Sequence, residues 1–307
     1  MKILGPVLVT GASTGIGRAI TEMLAEDGHL VYATARKKTD LEQLAAIPSV
    51  DPIKLDVTSP AEVRRAAVTV KKRGKGLYGL VNNAGMGDYW PLPELDIEDL
   101  NAVVDVNVYG VHRMTQAMLP FLVRSRGRIV NTSSIGGLAT TGWLGAYCMT
   151  KHALEAYSES LSRLLAKYRV KVSLIEVGTY RSQINLTGAE TTRRRARKHP
   201  PVIMKQEVSQ MLKQLPRDIV SAKKEPRPRV VLESIADALF SSHPRFRYCP
   251  CSYKGELVWA IKGPITRTVQ ANMGGGKYAL TRREMHALLD KIWKMELRRP
   301  YAESKIG

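Results

Sequence analysis

Cysteine is scarce: Cys148, Cys249 and Cys251 are the three in 307 residues. They are too few for a disulfide framework and suit a reducing, cytoplasmic setting. Histidine is sparse as well, with six scattered residues, and Cys249-Pro250-Cys251 lacks partner ligands in sequence, so no metal centre is expected. Aromatic residues make up 6% of the chain, little for stacking on bases. No zinc-finger or recognition-helix signature accompanies them, which argues against a nucleic-acid partner. No apolar run reaches the roughly 18 residues of a membrane-spanning helix. Ile3 to Val9, behind Lys2, is at the short limit for a signal-peptide core, has no clear cleavage site, and reads better as a first strand. Acidic residues are in deficit, 28 against 47 lysines and arginines, and the deficit is local. Residues 1–180 carry 21 basic and 17 acidic side chains, whereas residues 181–307 carry 26 and 11. Such a basic later segment fits a solvated surface, an anionic membrane surface or an acidic substrate.

What is present reads as alternating strands and helices. At 44% hydrophobic content the chain can bury a full core as one domain with a tail. Strands are expected at Lys2–Val9, Leu30–Thr34, Ile53–Val57, Leu77–Val81, Arg128–Val130, Val170–Glu176 and Arg245–Pro250. Helices are expected at Arg18–Asp27, Ala61–Lys72, Glu98–Val108, after Tyr147, at Val230–Ser241 and at Thr281–Arg299. Alternation of this kind predicts an α/β fold with a doubly wound parallel sheet, a Rossmann fold with the ligand at the carboxyl ends of the strands. We expect one domain over 1–250 and a basic, helical C-terminal extension over 251–307. From Ile184 to Arg229 regular patterning fades, and Arg193-Arg194-Arg195-Ala196-Arg197-Lys198 interrupts it.

Three local features carry chemistry. Thr10-Gly11-Ala12-Ser13-Thr14-Gly15-Ile16-Gly17 follows the first strand and opens a helix, where backbone amides bind phosphate and glycines admit a dinucleotide. Tyr147 and Lys151 lie one turn apart on an amphipathic helix carrying Ala153, Leu154, Tyr157, Leu161, Leu164 and Leu165 on its apolar side. A free phenol has a pKa of roughly 10, and an ammonium beside it favours the phenolate. Thirteen residues earlier, Ser134 ends a strand beside Gly136 and Gly137, placed to hold a carbonyl oxygen.

These motifs, with Asn82-Asn83-Ala84-Gly85, in this order and spacing, resemble the short-chain dehydrogenase/reductases, densely over residues 3–182 and loosely to about 250. The subgroup most similar is the hydroxysteroid and retinol dehydrogenases, judged from Val31 to Arg36, Gly76 to Asn83 and Tyr147 to Lys151. The resemblance implies an oxidoreductase with Asn107, Ser134, Tyr147 and Lys151 as its catalytic set, Asn107 holding a water relay. It implies cofactor binding by Gly11, Ser13, Thr14, Gly15, Ile16, Gly17, Arg36, Asp56, Val57, Asn83, Ala84, Gly85, Tyr147, Lys151 and Ser182. Ser182 stands where the family has a threonine, and Val177 where it has a proline. Ala35-Arg36-Lys37-Lys38 offers a guanidinium and no carboxylate at the end of the second strand, which favours NADP(H) over NAD(H). Residues 184–229 correspond to the substrate lid. The substrate class implied is a hydrophobic alcohol or ketone, steroid-, retinoid- or lipid-like, and the family habit is a homo-oligomer. A reductase of an acidic acyl or phosphate-bearing ketone, and a non-catalytic NADP(H)-binding redox sensor, are the rival readings. Peripheral contact with an anionic membrane is a further expectation from the basic tail.

Overall fold

The computed structural model describes residues 4–180, 184–224 and 226–297. It begins with β1 (Val7–Val9), α1 (Gly15–Glu26), β2 (Val31–Ala35), α2 (Lys38–Ala45), β3 (Val50–Lys54), α3 (Pro60–Arg73) and β4 (Gly79–Asn82). Next come α4 (Ile97–Val104), α5 (Gly110–Ser125), β5 (Arg128–Ser134), α6 (Gly145–Leu165) and β6 (Lys171–Val177). The later part holds α7 (Ile184–Lys198), α8 (Lys205–Lys224), α9 (Arg229–Phe240), β7 (Arg247–Tyr248), α10 (Lys254–Met273) and α11 (Arg282–Leu297).

The strands form one sheet in the order β3-β2-β1-β4-β5-β6-β7, and every neighbouring pair is parallel. Order reverses between β1 and β4, where Val7 faces Val31 on one side and Gly79 on the other. That reversal opens a crevice at the carboxyl ends of the two strands. Successive side chains of a strand point to opposite faces, so the buried central strands feed two cores. Val7, Val9, Val81 and Val130 pack with Ile20 and Leu24 of α1 and with Ile235 and Leu239 of α9. Leu8, Leu80 and Ile129 pack on the other face with Val63 and Val70 of α3 and Met114 and Leu122 of α5. Burying each such aliphatic side chain stabilises the fold by roughly 1.5–3 kcal/mol.

Helix ends follow local chemistry. At α3 the Ser59 hydroxyl accepts the Glu62 N–H, Pro60 occupies the first turn, and Gly74 closes the helix in the left-handed region at φ 69°. A chain of amides crosses the sheet below the crevice. Asn82 of β4 donates to Asn131 of β5 at 2.8 Å and to Thr115 of α5 at 3.3 Å, and Asn131 donates to Ser158 of α6 at 2.8 Å. Two strands and two helices are thereby fixed to one another by buried polar groups.

Three expectations are corrected here. The unpatterned interval 184–229 contains two helices, α7 and α8, and the extension begins with a long helix, α10. The third strand ends at Lys54, so Asp56 and Val57 lie in the turn after it. The helix expected at Glu98–Val108 ends at Val104, and a π-helical turn, Asp105–Tyr109, leads into α5.

Candidate active site

A cleft of about 790 Å³ runs along the carboxyl ends of the strands. Its floor is backbone. Gly11 turns at φ 64°, and a Cβ there would lie 2.9 Å from the Ala84 Cα. A Cβ on Gly17 would collide with the Gly11 carbonyl and the Asn83 amide. The Asn83 side chain donates to the carbonyls of Thr10 (3.0 Å) and Gly11 (3.3 Å), while the Thr10 hydroxyl accepts the N–H groups of Asn83 (2.9 Å) and Ala84 (3.0 Å). The turns after β1 and β4 are thus one unit. Thr14 caps α1 without a side-chain bond, and no acidic residue stands in its first turn. The first turn of α1 therefore presents its amides with no competing carboxylate, as a pyrophosphate requires.

At one end of the floor stand Arg36 and Asp56, both lining the cleft and 3.7 Å apart. Asp56 also accepts the Thr58 N–H at 2.9 Å and its hydroxyl at 2.7 Å. Burial pushes this carboxyl up, but the Thr58 bonds and the Arg36 charge outweigh burial and hold it below the usual range. No carboxylate stands at the end of β2 itself, and the one beside Arg36 comes from the turn after β3.

Ser134, at the end of β5, and Tyr147 and Lys151, on the first turns of α6, line the other end. Burial pushes the Tyr147 phenol up to about 12, and its hydrogen bond with Ser134 pulls the other way. The Lys151 amine lies 5.5 Å from the centre of the Tyr147 ring and donates to the Thr132 carbonyl at 2.8 Å. Burial lowers it to about 8, against an upward pull from Glu155 one turn along. Burial thus dominates this phenol, and the ammonium 5.5 Å from the ring centre does not by itself bring it into the acidic range. Glu155 itself accepts from Ser133 and Arg247, and Arg247 also bridges to Glu176 and Glu159. Burial and the Glu155 charge raise Glu176 to about 7.

Asn107 is buried in the π-helical turn. Its amide donates to the Met86 carbonyl and to Thr150, both at 3.0 Å, and its carbonyl oxygen accepts the Met86 N–H at 2.9 Å. The side chain ties the turn after β4 to α6. Ser13, Thr14, Gly15, Ile16, Val57, Ala84 and Gly85 also line the cleft, whereas Ser182 lies outside the described residues.

Helices α7 and α8 are tied to the body beside the cleft by contacts that hydrophobic periodicity does not signal. Arg195 of α7 is buried in an ion pair with Asp88, reaches Asp99, and lies 5.6 Å from the Trp90 ring. Thr192 donates to the Tyr89 carbonyl at 2.9 Å. Glu94 accepts the N–H groups of Val202, Ile203 and Met204 ahead of α8 at 2.9, 2.7 and 2.7 Å. Arg195 is engaged in these pairs and does not line the cleft, and Arg193, Arg194, Arg197 and Lys198 line a shallow separate hollow with Glu190. Glu256 of α10, missed in the sequence, is buried in the cleft wall. It accepts the Thr179 N–H and, at 2.8 Å, the Ser252 N–H. Burial raises it, and these bonds outweigh that rise and hold it low. Only the loop after β6, with its departures from the family motif, pointed to this place.

A family profile described as short chain dehydrogenase matches residues 6–193. Retinol dehydrogenase 5 of Mus musculus is 36% identical over 265 residues, covering 82% of this chain and 82% of that protein. The crystal structure of a short-chain dehydrogenase from Streptomyces avermitilis matches with a TM-score of 0.69 at 27% identity, covering 96% of this chain and 99% of that one. An alcohol dehydrogenase from Thermococcus sibiricus, solved with 5-hydroxy-NADP, matches with a TM-score of 0.56 at 29% identity, over 58% of this chain and 78% of that one. These likenesses agree with the sheet described above, and the chain belongs to the short chain dehydrogenase family as an oxidoreductase acting on CH–OH donors.

Proposed function

We propose that the protein catalyses reversible, NADP(H)-dependent interconversion of a hydrophobic ketone or aldehyde and its alcohol. The observation that carries this reading is the convergence of Ser134, Tyr147 and Lys151 on one wall of a cleft whose floor is the Gly11–Gly17 turn. When bound, the nicotinamide supplies or accepts the hydride. Tyr147, protonated at neutral pH, gives its proton to the carbonyl oxygen, a role that fits reduction. Ser134 orients that oxygen by a hydrogen bond. Lys151 holds the nicotinamide ribose and carries positive charge near the phenol, while Asn107 and Glu256 fix the loops that bracket the site. By family resemblance Ser182 meets the nicotinamide amide. Arg36, exposed at the end of β2, is the guanidinium available to a 2′-phosphate, and the bound cofactor of the Thermococcus sibiricus relative supports that choice.

Around the reacting end the lining includes Tyr89, Leu144, Ile184, Tyr253 and Trp259. These side chains favour an apolar substrate, steroid-, retinoid- or lipid-like, in keeping with the name of the retinol dehydrogenase relative. An acidic keto substrate is less well served, since Arg36 and Lys151 are the only basic side chains among the described lining residues. A non-catalytic sensor would have no use for the Ser134 and Tyr147 hydroxyl pair.

The test is nicotinamide oxidation across a panel of apolar ketones and aldehydes with NADPH or NADH, beside Tyr147→Phe. The substitution should lower turnover by about 100-fold or more while NADPH binding persists. A phenylalanine variant as fast as the parent overturns the assignment.

A further inference from the structure

The C-terminal hairpin carries two helices whose apolar sides cover nothing among the described residues. On α10 the inward side is accounted for. Glu256 and Ala260 are buried, a Cβ on Gly263 would lie 2.7 Å from the Leu138 carbonyl, and Arg267 donates to that carbonyl at 2.8 Å. The opposite side, at spacings of three and four residues, is Val258, Ile261, Ile265, Val269 and Met273, all exposed. Beyond the turn, joined by Asn272 and Leu280 through two 2.8 Å hydrogen bonds, α11 starts at a capping box of Thr281 and Glu284. Every described side chain of α11 except Met285 and Glu296 is exposed, including Leu289, Ile292 and Trp293, the last at 66%. Monomeric soluble proteins rarely leave so many large apolar side chains of neighbouring elements uncovered.

Charge chooses the occupant. Residues 254–297 hold eight lysines and arginines against four acidic residues, one of which, Glu256, is buried. With a net charge of +19 on each chain, a second copy is repelled and an anionic surface attracted. Apolar stripes edged by lysine and arginine, with Tyr253, Trp259, Tyr278 and Trp293 among them, match the chemistry of a helix lying in a lipid headgroup region. No described helix is long and apolar enough to cross a membrane.

We propose that the α10–α11 hairpin docks the protein on an anionic lipid bilayer. Tyr253 and Trp259 line the cleft mouth at the start of α10, so docking brings that mouth to the lipid surface. The docking itself is independent of the proposed reaction.

The test is co-sedimentation of the full chain with phosphatidylcholine vesicles containing about 30 mol % phosphatidylserine, beside pure phosphatidylcholine vesicles. The expected result is capture by the anionic vesicles at about 0.1 M salt, reduced about fivefold or more at about 0.5 M salt or without phosphatidylserine. The double variant Leu289→Glu/Ile292→Glu should lose capture by a similar factor with its circular dichroism and NADPH binding unchanged. An α10 variant, Ile265→Glu, should weaken capture in the same assay. Parent protein left in the supernatant with anionic vesicles overturns the proposal. So does a parent oligomer, seen by sedimentation velocity, that the double variant dissociates, since a second copy would then cover the face.

Discussion

Lys151 is held where its charge is least comfortable, and this has a measurable cost. Its pKa falls from the ordinary 10.5 to about 8 on folding, chiefly through burial. Between those values the unfolded chain binds more protons than the folded one, so stability rises with pH there. Below about 8 the buried ammonium costs about 3 kcal/mol. Lys151→Met should therefore raise the melting temperature by a few degrees at pH 7, lose that advantage by about pH 10, and abolish turnover. Melting curves at the two pH values check the sign, and an equal gain at both would refute it. In the pH profile of ketone reduction the parent should hold its rate below about 8 and fall above it as Lys151 loses its proton. Glu155→Gln should move that fall to lower pH, because Glu155 is the group pulling Lys151 upward. At the other end of the cleft, Arg36→Leu should raise the KM for NADPH about tenfold and leave that for NADH within about twofold. Parallel changes for both cofactors would show that Arg36 does not read the phosphate.

Elements of this fold differ in how much they announce themselves. The buried strands and the Gly11–Gly17 turn are legible because a run such as Val7-Leu8-Val9 and a left-handed Gly11 each have one physical meaning. The lid is not legible in the same way. The inward side of α7 is Ala189, Thr192 and Arg195, small and polar residues that give no apolar periodicity, and the neighbouring arginines read as a solvated run. α10 hides for a related reason: Gly263 and Pro264 interrupt it, and its buried positions are Glu256 and Ala260. The resemblance named the catalytic residues, but the position of the Tyr147 pKa depends on desolvation, which no spacing encodes. The lid's own prediction follows from its latch. Arg195→Ala leaves Asp88, 1% exposed, as a buried unpaired charge, a loss of about 3–5 kcal/mol. Amide exchange should quicken across 184–215 and the KM for apolar substrates rise, with exchange in β1, β4 and β5 unchanged. Uniform exchange in parent and variant would remove the latch.

Over the whole molecule charge is divided by function. The half that builds the sheet is nearly neutral, and the later part, with its lid and hairpin, holds a surplus of fifteen positive charges. An anionic dinucleotide approaching this surface is drawn in by a long-range field, so its association rate should fall several-fold between about 0.05 and about 0.5 M salt. Stopped-flow binding of NADPH measures this, and a salt-independent rate would show that the surplus plays no part in capture.

The asparagines that cross the sheet, Asn82 and Asn131, together with Thr115 and Ser158, set a further condition on how this protein can change. They join β5 and α6, which bear Ser134, Tyr147 and Lys151, to β4 and α5, and a one-residue slip in any of these elements would strand a buried amide. Variation in what the protein accepts must then accumulate above this layer, in the lid and around α10. Descendants of this sequence can wander widely in substrate while the interatomic distances that govern proton delivery stay as they are.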